Sequence, residues 1–507
     1  MERIKADGAV IGTGAAGLSA AIRAAEGGAK VVVFEKRAFP GGASNTPMCV
    51  ASTKKDQAYR DKAFKVHMEM TQQAGNPHLV RAWINKSGEV PEWLAKQGYK
   101  LGDLMASATL ETMGKQRGYG VGFPNGYFIH DVNILPPRGR GHGGAMLIRH
   151  LVKRAKELGV DVRLATPVKK ILKEGDQVSG VMAEGKDGSR VQVDTKAVIV
   201  ASAGFNEDKE MIKKYGGYDF TLDPSFLGGG EGDLFMIYPN LKLTGDGQKM
   251  AWEAGADRGS MGIGLIPQIP QQGLGSPPPW INLLQLMTIP EQPYLYVNQQ
   301  GQRFFDETFS NDHMTQVHSI ARQNPKYGYI IFDNTTKKRL QEKGPDYQYF
   351  IFQAKTIDDI DGQFAKAMAA GNKNVFVADT LAGLASMTGI DLAGLEKTVK
   401  EYNGYCEKGH DDLFAKDPEY LFPVKEPKFY AIRVICSAYQ TIGGIRVNGK
   451  TEALTKERKV IPGLYAAGDI IAAELYGDPP INGVGTIGFA LSSGLIAAES
   501  ALEYMGK

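Results

Sequence analysis

The chain of 507 residues exceeds the roughly 250–300 residues at which a single hydrophobic core stops growing, so we expect two or more domains. Hydrophobic residues make up 43% and charged residues 23% of the chain, which excludes a largely disordered protein. The formal net charge is only +3, with no long charged run and no apolar run of membrane-spanning length, so we expect no nucleic-acid partner and no stable membrane insertion. Three cysteines without a CxxC pair, and a strand-like N-terminus in place of a signal peptide, predict a cytoplasmic protein without a metal site.

The N-terminal segment carries the clearest signal. Residues 7–11 (DGAVI) predict a buried strand and residues 15–26 an alanine-rich helix, with the motif G-x-G-x-x-G at residues 12–17 between them. In such a motif the glycines permit a tight turn, a close approach to a pyrophosphate and close packing of the helix, whose N-terminus attracts phosphate. A second predicted strand at 31–35 ends in Glu35, where a carboxylate can bind ribose hydroxyls. Together these features predict a dinucleotide-binding site.

The C-terminal segment indicates which dinucleotide is bound. Residues 461–469 (IPGLYAAGD) predict a strand that ends at Gly468 and Asp469, and residues 485–502 predict a helix of small residues. The acid can bind a ribityl hydroxyl, and the helix N-terminus can face the flavin edge that becomes negative on reduction. NAD needs neither feature, so the pattern favours FAD. No second G-x-G-x-x-G lies on a strand–turn–helix pattern, so we expect no separate NAD(P)H domain.

Further segments extend this pattern along nearly the whole chain. After the motif at 12–17 they are FPGGASN at 39–45, the segments 80–98, 143–172, 198–205, 244–256, 296–307, 377–403 and 426–434, TIGGIRV at 441–447 and the YAAGD segment. In this order and spacing the sequence resembles the FAD-binding flavoproteins related to fumarate reductase and succinate dehydrogenase. That superfamily includes urocanate reductases and 3-ketosteroid dehydrogenases, and the match is specific to the superfamily but not to one activity.

The resemblance implies an α/β fold in which a Rossmann-like FAD-binding domain, split in sequence, carries an inserted α+β capping domain. The expected division is 1–260 and 440–507 for the FAD-binding domain and 261–439 for the cap. The proline-rich stretch 266–280 independently predicts a loop, because proline cannot continue a helix or a central strand. Residues 379–405 predict helices of the cap.

The FAD site is expected to draw on both ends of the chain. The expected cofactor-binding residues are Gly12, Gly14, Ala15, Ala16, Gly17, Glu35, Lys36, Gly42, Ala43, Ser44, Asn45, Val168, Ala201, Gly204, Asp246, Gly468, Asp469, Thr486 and Ile487. Membrane-bound members of the superfamily attach FAD covalently through a histidine whose place falls at Asn45 here. The resemblance therefore implies a noncovalent FAD.

The substrate-binding positions of fumarate reductases are changed in this sequence. The proton-donating arginine of the family falls at Asn311, the carboxylate-binding histidine at Tyr439, and a second carboxylate-binding arginine at Asn482. A further histidine at the start of the cap finds only Gln268 or its neighbours. Neutral side chains replace bidentate arginine clamps poorly, so we expect a substrate other than a dicarboxylate. The expected substrate-binding residues are Gln440, Gln268, Asn482 and Gly485.

Tyrosines are candidates for the proton chemistry instead. Ketosteroid dehydrogenases use tyrosines to polarise a ketone and to abstract a proton, and Tyr439 and Tyr476 could act in this way here. Asn311 and His313 are the other catalytic candidates, His313 as a proton relay. Two alternatives stay open: Tyr439 could be an aromatic that covers the pocket, and His313 a packed or surface histidine.

The resemblance implies an FAD-dependent oxidoreductase that transfers a hydride through flavin N5, to or from a C=C or CH–CH bond next to a carbonyl. One alternative is a 3-ketosteroid-type dehydrogenase. An alternative of another class is a flavoprotein that carries electrons to a partner protein and binds no organic substrate. The expected partners are thus a small unsaturated or saturated carbonyl compound and an electron donor or acceptor, such as a flavin reductase, a ferredoxin, a quinone or NADH.

Overall fold

The computed structural model describes residues 1–45, 47, 49–102, 125–128, 142–185, 188–216, 241–268, 286, 288–347, 356–369, 371–477 and 487–507. It describes only the backbone of residues 49, 70, 125–128, 142, 265–268, 313–314 and 436–439. The strands are β1 (Glu2–Lys5), β2 (Gly8–Ile11), β3 (Val31–Phe34), β4 (Cys49–Ser52), β5 (Asn125–Phe128), β6 (Asp161–Arg163), β7 (Val168–Glu174), β8 (Gln177–Glu184), β9 (Arg190–Asp194), β10 (Ala197–Val200), β11 (Met261–Gln268), β12 (Leu295–Val297), β13 (Tyr327–Asp333), β14 (Val375–Ala378), β15 (Phe429–Gly443), β16 (Glu452–Leu454) and β17 (Val460–Ala466). The helices are α1 (Ala15–Glu26), α2 (Gln57–Met70), α3 (Pro77–Ser87), α4 (Val90–Lys96), α5 (His142–Glu157), α6 (Lys209–Tyr215), α7 (Asp246–Glu253), α8 (His313–Ala321), α9 (Asn334–Lys343), α10 (Ile360–Ala369), α11 (Leu381–Thr388), α12 (Leu392–Lys408), α13 (Asp469–Ala472) and α14 (Ile487–Met505).

A six-stranded sheet in the order β16-β17-β10-β2-β3-β6 forms the centre of the first domain. All neighbours pair in parallel except β16 with β17. The strands β3 and β10 are buried along their whole length, as the runs VVVF and AVIV predict for a sheet covered on both faces. Because β2, β10 and β17 come from distant parts of the chain, the sheet forms only when both ends of the sequence meet. The split α/β domain is therefore confirmed.

Helices α1 and α14 pack closely on each other beside this sheet. A Cβ atom at Gly494 would lie 2.2 Å from the carbonyl oxygen of Ala16 and 2.2 Å from Ser19 Oγ, so only glycine permits this approach. A second sheet, β1-β9-β8-β7, lies in the same part of the chain. None of the helices in the described ranges is long and apolar enough to cross a membrane.

The cap is built on a sheet in the order β11-β15-β13-β12, with β14 also paired to β15. Helices from α8 to α12 accompany this sheet in the sequence, which gives the expected α+β character. Its core includes the fully buried rings of Tyr294, Tyr296, Phe332 and Tyr430. Phe332 and Tyr430 stack with their ring centroids 5.0 Å apart.

One loop prediction was wrong at its start. Strand β11 continues to Gln268, so the first residues of the proline-rich stretch 266–280 belong to a strand, and Pro267 pairs with Cys436. Because β11 lies at the edge of its sheet, the missing N–H of proline costs no central hydrogen bond there. Residues 269–280 lie outside the described part of the chain.

Strands β11 and β15 of the cap sheet lie at the predicted limits of the cap, residues 261 and 439. Strand β11 begins at Met261, and β15 continues past position 440 to Gly443. The last residues of β15 therefore still pair with β11 in the cap sheet, Gly443 with Met261. The division into 1–260, 261–439 and 440–507 stays a prediction.

A buried cluster of charges stabilises the cap. The guanidinium of Arg303 contacts the carboxylates of Glu307 and Asp411, each at 2.7 Å, and Lys416 Nζ lies 3.4 Å from Glu307 Oε2. These four side chains are almost inaccessible to solvent. Burial alone would raise the pKa of Glu307, but Lys416 and Arg303 hold it below its ordinary value. The two cations and the two carboxylates of the cluster compensate one another's charge.

We expect Arg303→Met to destabilise the cap by about 3–5 kcal/mol, because it leaves a buried carboxylate uncompensated. Urea unfolding followed by circular dichroism would measure the change. Arg3→Met is the matched control, since Arg3 forms an ion pair with Asp194 while its side chain is 65% exposed. Equal shifts of the two unfolding midpoints would contradict a special role of the cluster.

Candidate functional site

A cleft lies at the carboxyl ends of the parallel strands β2, β3, β10 and β17. In open α/β sheets this edge is the usual place for a ligand. Most of the predicted cofactor-binding residues line it. They are Gly12, Gly14, Ala15, Ala16, Glu35, Lys36, Gly42, Ala43, Ser44, Val168, Ala201, Asp246, Gly468, Asp469 and Ile487.

The glycine motif forms the turn from β2 into α1. Gly12 has φ of +111°, and a Cβ atom there would lie 2.4 Å from the carbonyl oxygen of Ala201. Gly17 does not line the cleft; a Cβ atom at this position would lie 2.0 Å from the carbonyl oxygen of Gly12. The first glycine thus permits the turn and the third permits the helix to pack on it, as the motif predicts.

Glu35 lies at the end of β3 with only 7% of its surface exposed. Its Oε2 accepts hydrogen bonds from Thr13 Oγ1 at 2.6 Å and from the Thr13 backbone N–H at 3.3 Å. Its Oε1 accepts from the backbone N–H of Arg37 at 3.0 Å and from Arg37 Nε at 3.3 Å. The carboxylate is therefore oriented by the glycine turn on one side and by the end of β3 on the other.

Lys36 and Asp246 form a second polar pair on the cleft wall. Lys36 Nζ donates to Asp246 Oδ2 at 2.7 Å and to Thr244 Oγ1 at 3.0 Å. Burial alone would raise the pKa of Asp246, but the contact with Lys36 lowers it below its ordinary value. The Asp246 carboxylate is therefore ionised near neutral pH, and its ion pair with Lys36 adds no net charge to the wall.

The segment after β3 covers the N-terminus of α1. The backbone N–H of Ala15 donates to Ser44 Oγ at 3.0 Å, and Asn45 Nδ2 donates to the carbonyl oxygen of Pro40 at 3.0 Å. Asn45 therefore holds its own loop and does not line the cleft. Gly204 does not line it either: a Cβ atom there would lie 2.3 Å from Thr441 Oγ1 and would separate the first domain from β15.

Asp469 lies at the other end of the cleft, directly after Gly468 at the start of α13. Complete burial raises its pKa to about 7, and a hydrogen bond from Gln440 opposes this shift. Gln440 Nε2 donates to Asp469 Oδ1 at a long distance of 3.5 Å. Because Gln440 belongs to β15, the cap contributes a polar side chain to the same cleft.

The structure does not bring all the predicted catalytic residues to the cleft. Tyr476 is 5% exposed and its ring centroid lies 5.5 Å from that of His67, inside the core of the first domain and outside the cleft lining. Asn311 is buried in the cap between a short 3₁₀ turn and α8, and it does not line the cleft. The catalytic roles of both residues stay predictions.

Other predicted site residues are described only in part or not at all. Tyr439 lies in β15, Gln268 ends β11 and His313 begins α8, and their side chains lie outside the described part of the chain. Asn482, Gly485 and Thr486 also lie outside the described residues. Within those residues, no group of His, Cys, Asp and Glu side chains could hold a metal ion.

The sequence interpretation missed several residues of the cleft wall, among them Thr13, Arg37 and Ser202. Thr13 lies inside the glycine motif, and its position next to Gly12 could have identified it. Ser202 follows β10, and its Oγ is buried without a hydrogen-bond partner among the described residues. A strand end predicts that a residue is near the site, but not which side chain turns toward the ligand.

These residues fit a flavin dinucleotide. The glycine turn and the first turn of α1 suit a pyrophosphate, Glu35 suits a ribose, and Asp469 with the start of α14 lies at the far end of the cleft. Ser202 Oγ, a buried hydroxyl that lacks a partner in the described part of the chain, is a further indication of a bound polar ligand.

Comparison with known proteins supports this assignment. A vinyl phenol reductase from Lactiplantibacillus plantarum is 28% identical over 98% of this chain and 96% of its own length. The open conformation of a flavocytochrome c3 fumarate reductase is 25% identical, with a TM-score of 0.62 over 99% of this chain and 79% of that one. A 3-ketosteroid-delta4-(5alpha)-dehydrogenase from Rhodococcus jostii shares the fold, with 20% identity and a TM-score of 0.68 over 99% of this chain and 97% of that one.

The model of a family described as the FAD binding domain matches residues 7–485. The match includes the glycine turn, Glu35, the cap and Asp469, and it confirms FAD as the predicted cofactor. The chain belongs to this family of FAD-dependent oxidoreductases.

Proposed function

We propose that this oxidoreductase reduces, or in the reverse direction forms, a C=C bond conjugated to a carbonyl or an aromatic ring in a neutral or mono-anionic compound. The observation that carries the proposal is the cleft itself, which is lined by the FAD-binding domain and by Gln440 of the cap. A cleft to which a strand of the cap sheet also contributes a side chain suits a small-molecule substrate. The similarity to a vinyl phenol reductase over nearly the full length of both chains supports the same type of bond.

When bound, FAD supplies the hydride chemistry at N5. The residues of this chain bind and orient it: Glu35 at the ribose end, the first turn of α1 at the pyrophosphate, and Asp469 near the flavin end. Asp469 keeps its proton up to about pH 7, so at lower pH it can donate a hydrogen bond as well as accept one. Gln440 positions this carboxyl group from the cap side.

The lack of cationic side chains at the expected substrate-binding positions supports a substrate with fewer than two carboxylates. The resemblance to fumarate reductases implies that Asn311, Tyr439 and Asn482 stand where those enzymes hold arginine or histidine. Without these cations, two carboxylates would lose their strongest hydrogen bonds and enter the site at a cost. We propose that the phenol of Tyr439 polarises the substrate or transfers the proton.

The proposals for the electron partner and for the cellular compartment rest on the sequence. Because the sequence offers no second dinucleotide motif, electrons would come from a separate carrier or from a nicotinamide that binds transiently at the same cleft. We propose the cytoplasm as the compartment, since the sequence shows only three cysteines and no pattern of a disulfide framework. The cap between the two parts of the FAD-binding domain disfavours a pure electron carrier, because such a protein needs an exposed flavin edge.

We expect reduced enzyme to be reoxidised under anaerobic conditions by an enone, a mono-carboxylic enoate or 4-vinylphenol at least about tenfold faster than by fumarate. Flavin absorbance after addition of each acceptor gives the rates. Faster reoxidation by fumarate than by all the others would contradict the substrate class, and no reoxidation by any of them would overturn the proposed activity. Bleaching of the oxidised enzyme by a saturated 3-ketosteroid would select the dehydrogenase alternative.

We expect Tyr439→Phe to lower kcat by about 100-fold or more, because it removes the hydroxyl that would serve general acid–base catalysis. Steady-state kinetics with the best acceptor of the panel would measure it. Tyr504→Phe is the control, since Tyr504 is 39% exposed on the last helix. If Tyr439→Phe left kcat unchanged, Tyr439 would have no role in proton transfer and would only cover the pocket.

The raised pKa of Asp469 predicts that the stability of the apoprotein depends on pH. Its folded pKa of about 7 lies above the ordinary 3.8, so the folded state holds a proton that the unfolded state releases. Stability should therefore fall as pH rises from about 4 to about 7, by on the order of 4 kcal/mol for this group. Urea unfolding at several pH values should show a shallower decrease for Asp469→Asn, whose side chain does not titrate. Parallel curves for the two proteins would refute the raised pKa.

We also propose that FAD is bound noncovalently, because Asn45 offers no nucleophilic ring nitrogen at the place of the covalent histidine. Acid precipitation of the holoenzyme should release the flavin into the supernatant, where its absorbance can be measured. Yellow colour that stays in the washed pellet would contradict noncovalent binding.

A further inference from the structure

Arg37 is a buried cation in the wall of the cleft. Only 8% of its surface is exposed, and its backbone carbonyl accepts a hydrogen bond from Ala165 at 2.7 Å, which fixes the segment. Its Nε donates to Glu35 Oε1, and its Cζ lies 4.7 Å from the centre of the Phe39 ring. The guanidinium is therefore held between a carboxylate and an aromatic face.

One nitrogen of this guanidinium has no hydrogen-bond partner among the described residues. Arg37 Nη1 is buried without a hydrogen-bond partner in the part of the chain that the structure describes. An arginine carries five N–H donors and cannot lose its charge, so an unpaired buried donor is unfavourable. A ligand oxygen in the cleft would remove this cost.

Gly42 has no side chain and therefore leaves room for the guanidinium of Arg37. A Cβ atom at Gly42 would lie 3.1 Å from Arg37 Nη2, closer than a side chain normally approaches. The glycine also has φ of +53°, which other residues rarely adopt. The loop is thus shaped to hold the guanidinium at the cleft wall.

The charges of the wall indicate what this donor binds. Lys36 and Asp246 compensate each other at 2.7 Å, and Glu35 is an acceptor of hydrogen bonds that repels anions. Without Arg37, these side chains would give the wall a net negative charge, although the cofactor of this family carries a pyrophosphate. Arginine is the residue that pairs with phosphate oxygens through directed N–H groups.

We propose that Arg37 binds a phosphate oxygen of the ADP portion of FAD through its Nη1 group. Arg37 holds Glu35 in place for the ribose through Nε and compensates the phosphate charge through Nη1. The carboxylate and the phosphate are then linked by one side chain. This role of Arg37 concerns cofactor binding, and its test does not depend on the identity of the proposed substrate.

The test compares ligands with and without phosphate on the apoprotein by isothermal titration calorimetry. Arg37→Met should raise the Kd of FAD and of ADP at least about tenfold and change the Kd of adenosine less than about twofold. The binding of ADP should also become less sensitive to salt, because one ion pair is removed. Arg190→Met is the control, since Arg190 is exposed on β9 and outside the cleft, and it should change none of these values.

Arg37→Lys provides a second variant that keeps the charge. It should bind ADP more tightly than Arg37→Met and more weakly than the unchanged protein, because an ammonium lacks the directed guanidinium donors. Circular dichroism of each apoprotein verifies folding. Equal weakening of ADP and adenosine by Arg37→Met would show that Arg37 acts only through Glu35 and the ribose, and unchanged Kd values would remove it from the site; either result overturns the proposal.

Discussion

The turn between β2 and α1 is the constraint on which the rest of the structure depends. Gly12 passes so close to Ala201 that a Cβ atom would lie 2.4 Å from its carbonyl oxygen, and a Cβ atom at Gly17 would lie 2.0 Å from the carbonyl oxygen of Gly12. The turn is thus enclosed by the end of β10 on one side and by its own helix on the other. This arrangement places the N-terminus of α1 and the ends of the central strands around one cleft.

The cleft wall is organised by Glu35, which joins the turn to the end of β3. Thr13 donates to one of its carboxylate oxygens and Arg37 to the other. A buried carboxylate needs such donors, because desolvation alone would be unfavourable. The same contacts orient the guanidinium of Arg37, so the geometry of one polar group determines that of the next.

The cap joins the first domain through the end of β15. Thr441 donates from its backbone N–H to Asn206 Oδ1 at 3.0 Å, and Gln248 Nε2 donates to the carbonyl oxygen of Gly443 at 3.2 Å. Gln440 directly precedes these contacts along the strand and reaches Asp469. The place where the two domains are held together is therefore also one end of the cleft, which couples the position of the cap to the flavin end of the site.

Much of the fold and of the cofactor site was predictable because the signals are local. The spacing of Gly12 and Gly17, the acid at the end of β3 and Asp469 at the end of β17 depend only on neighbouring residues and strand ends. By contrast, Tyr476 contacts His67 of α2 in the core, and Pro267 lies in an edge strand, and both facts depend on residues far away in sequence. The sequence by itself determined the FAD-binding motif, since glycine spacing and buried strands have local causes, and its resemblance to a known superfamily implied the split domain. Only the tertiary structure decided that Arg37 faces the cleft and that Tyr476 does not, because side-chain direction at a strand end or loop depends on packing between distant segments.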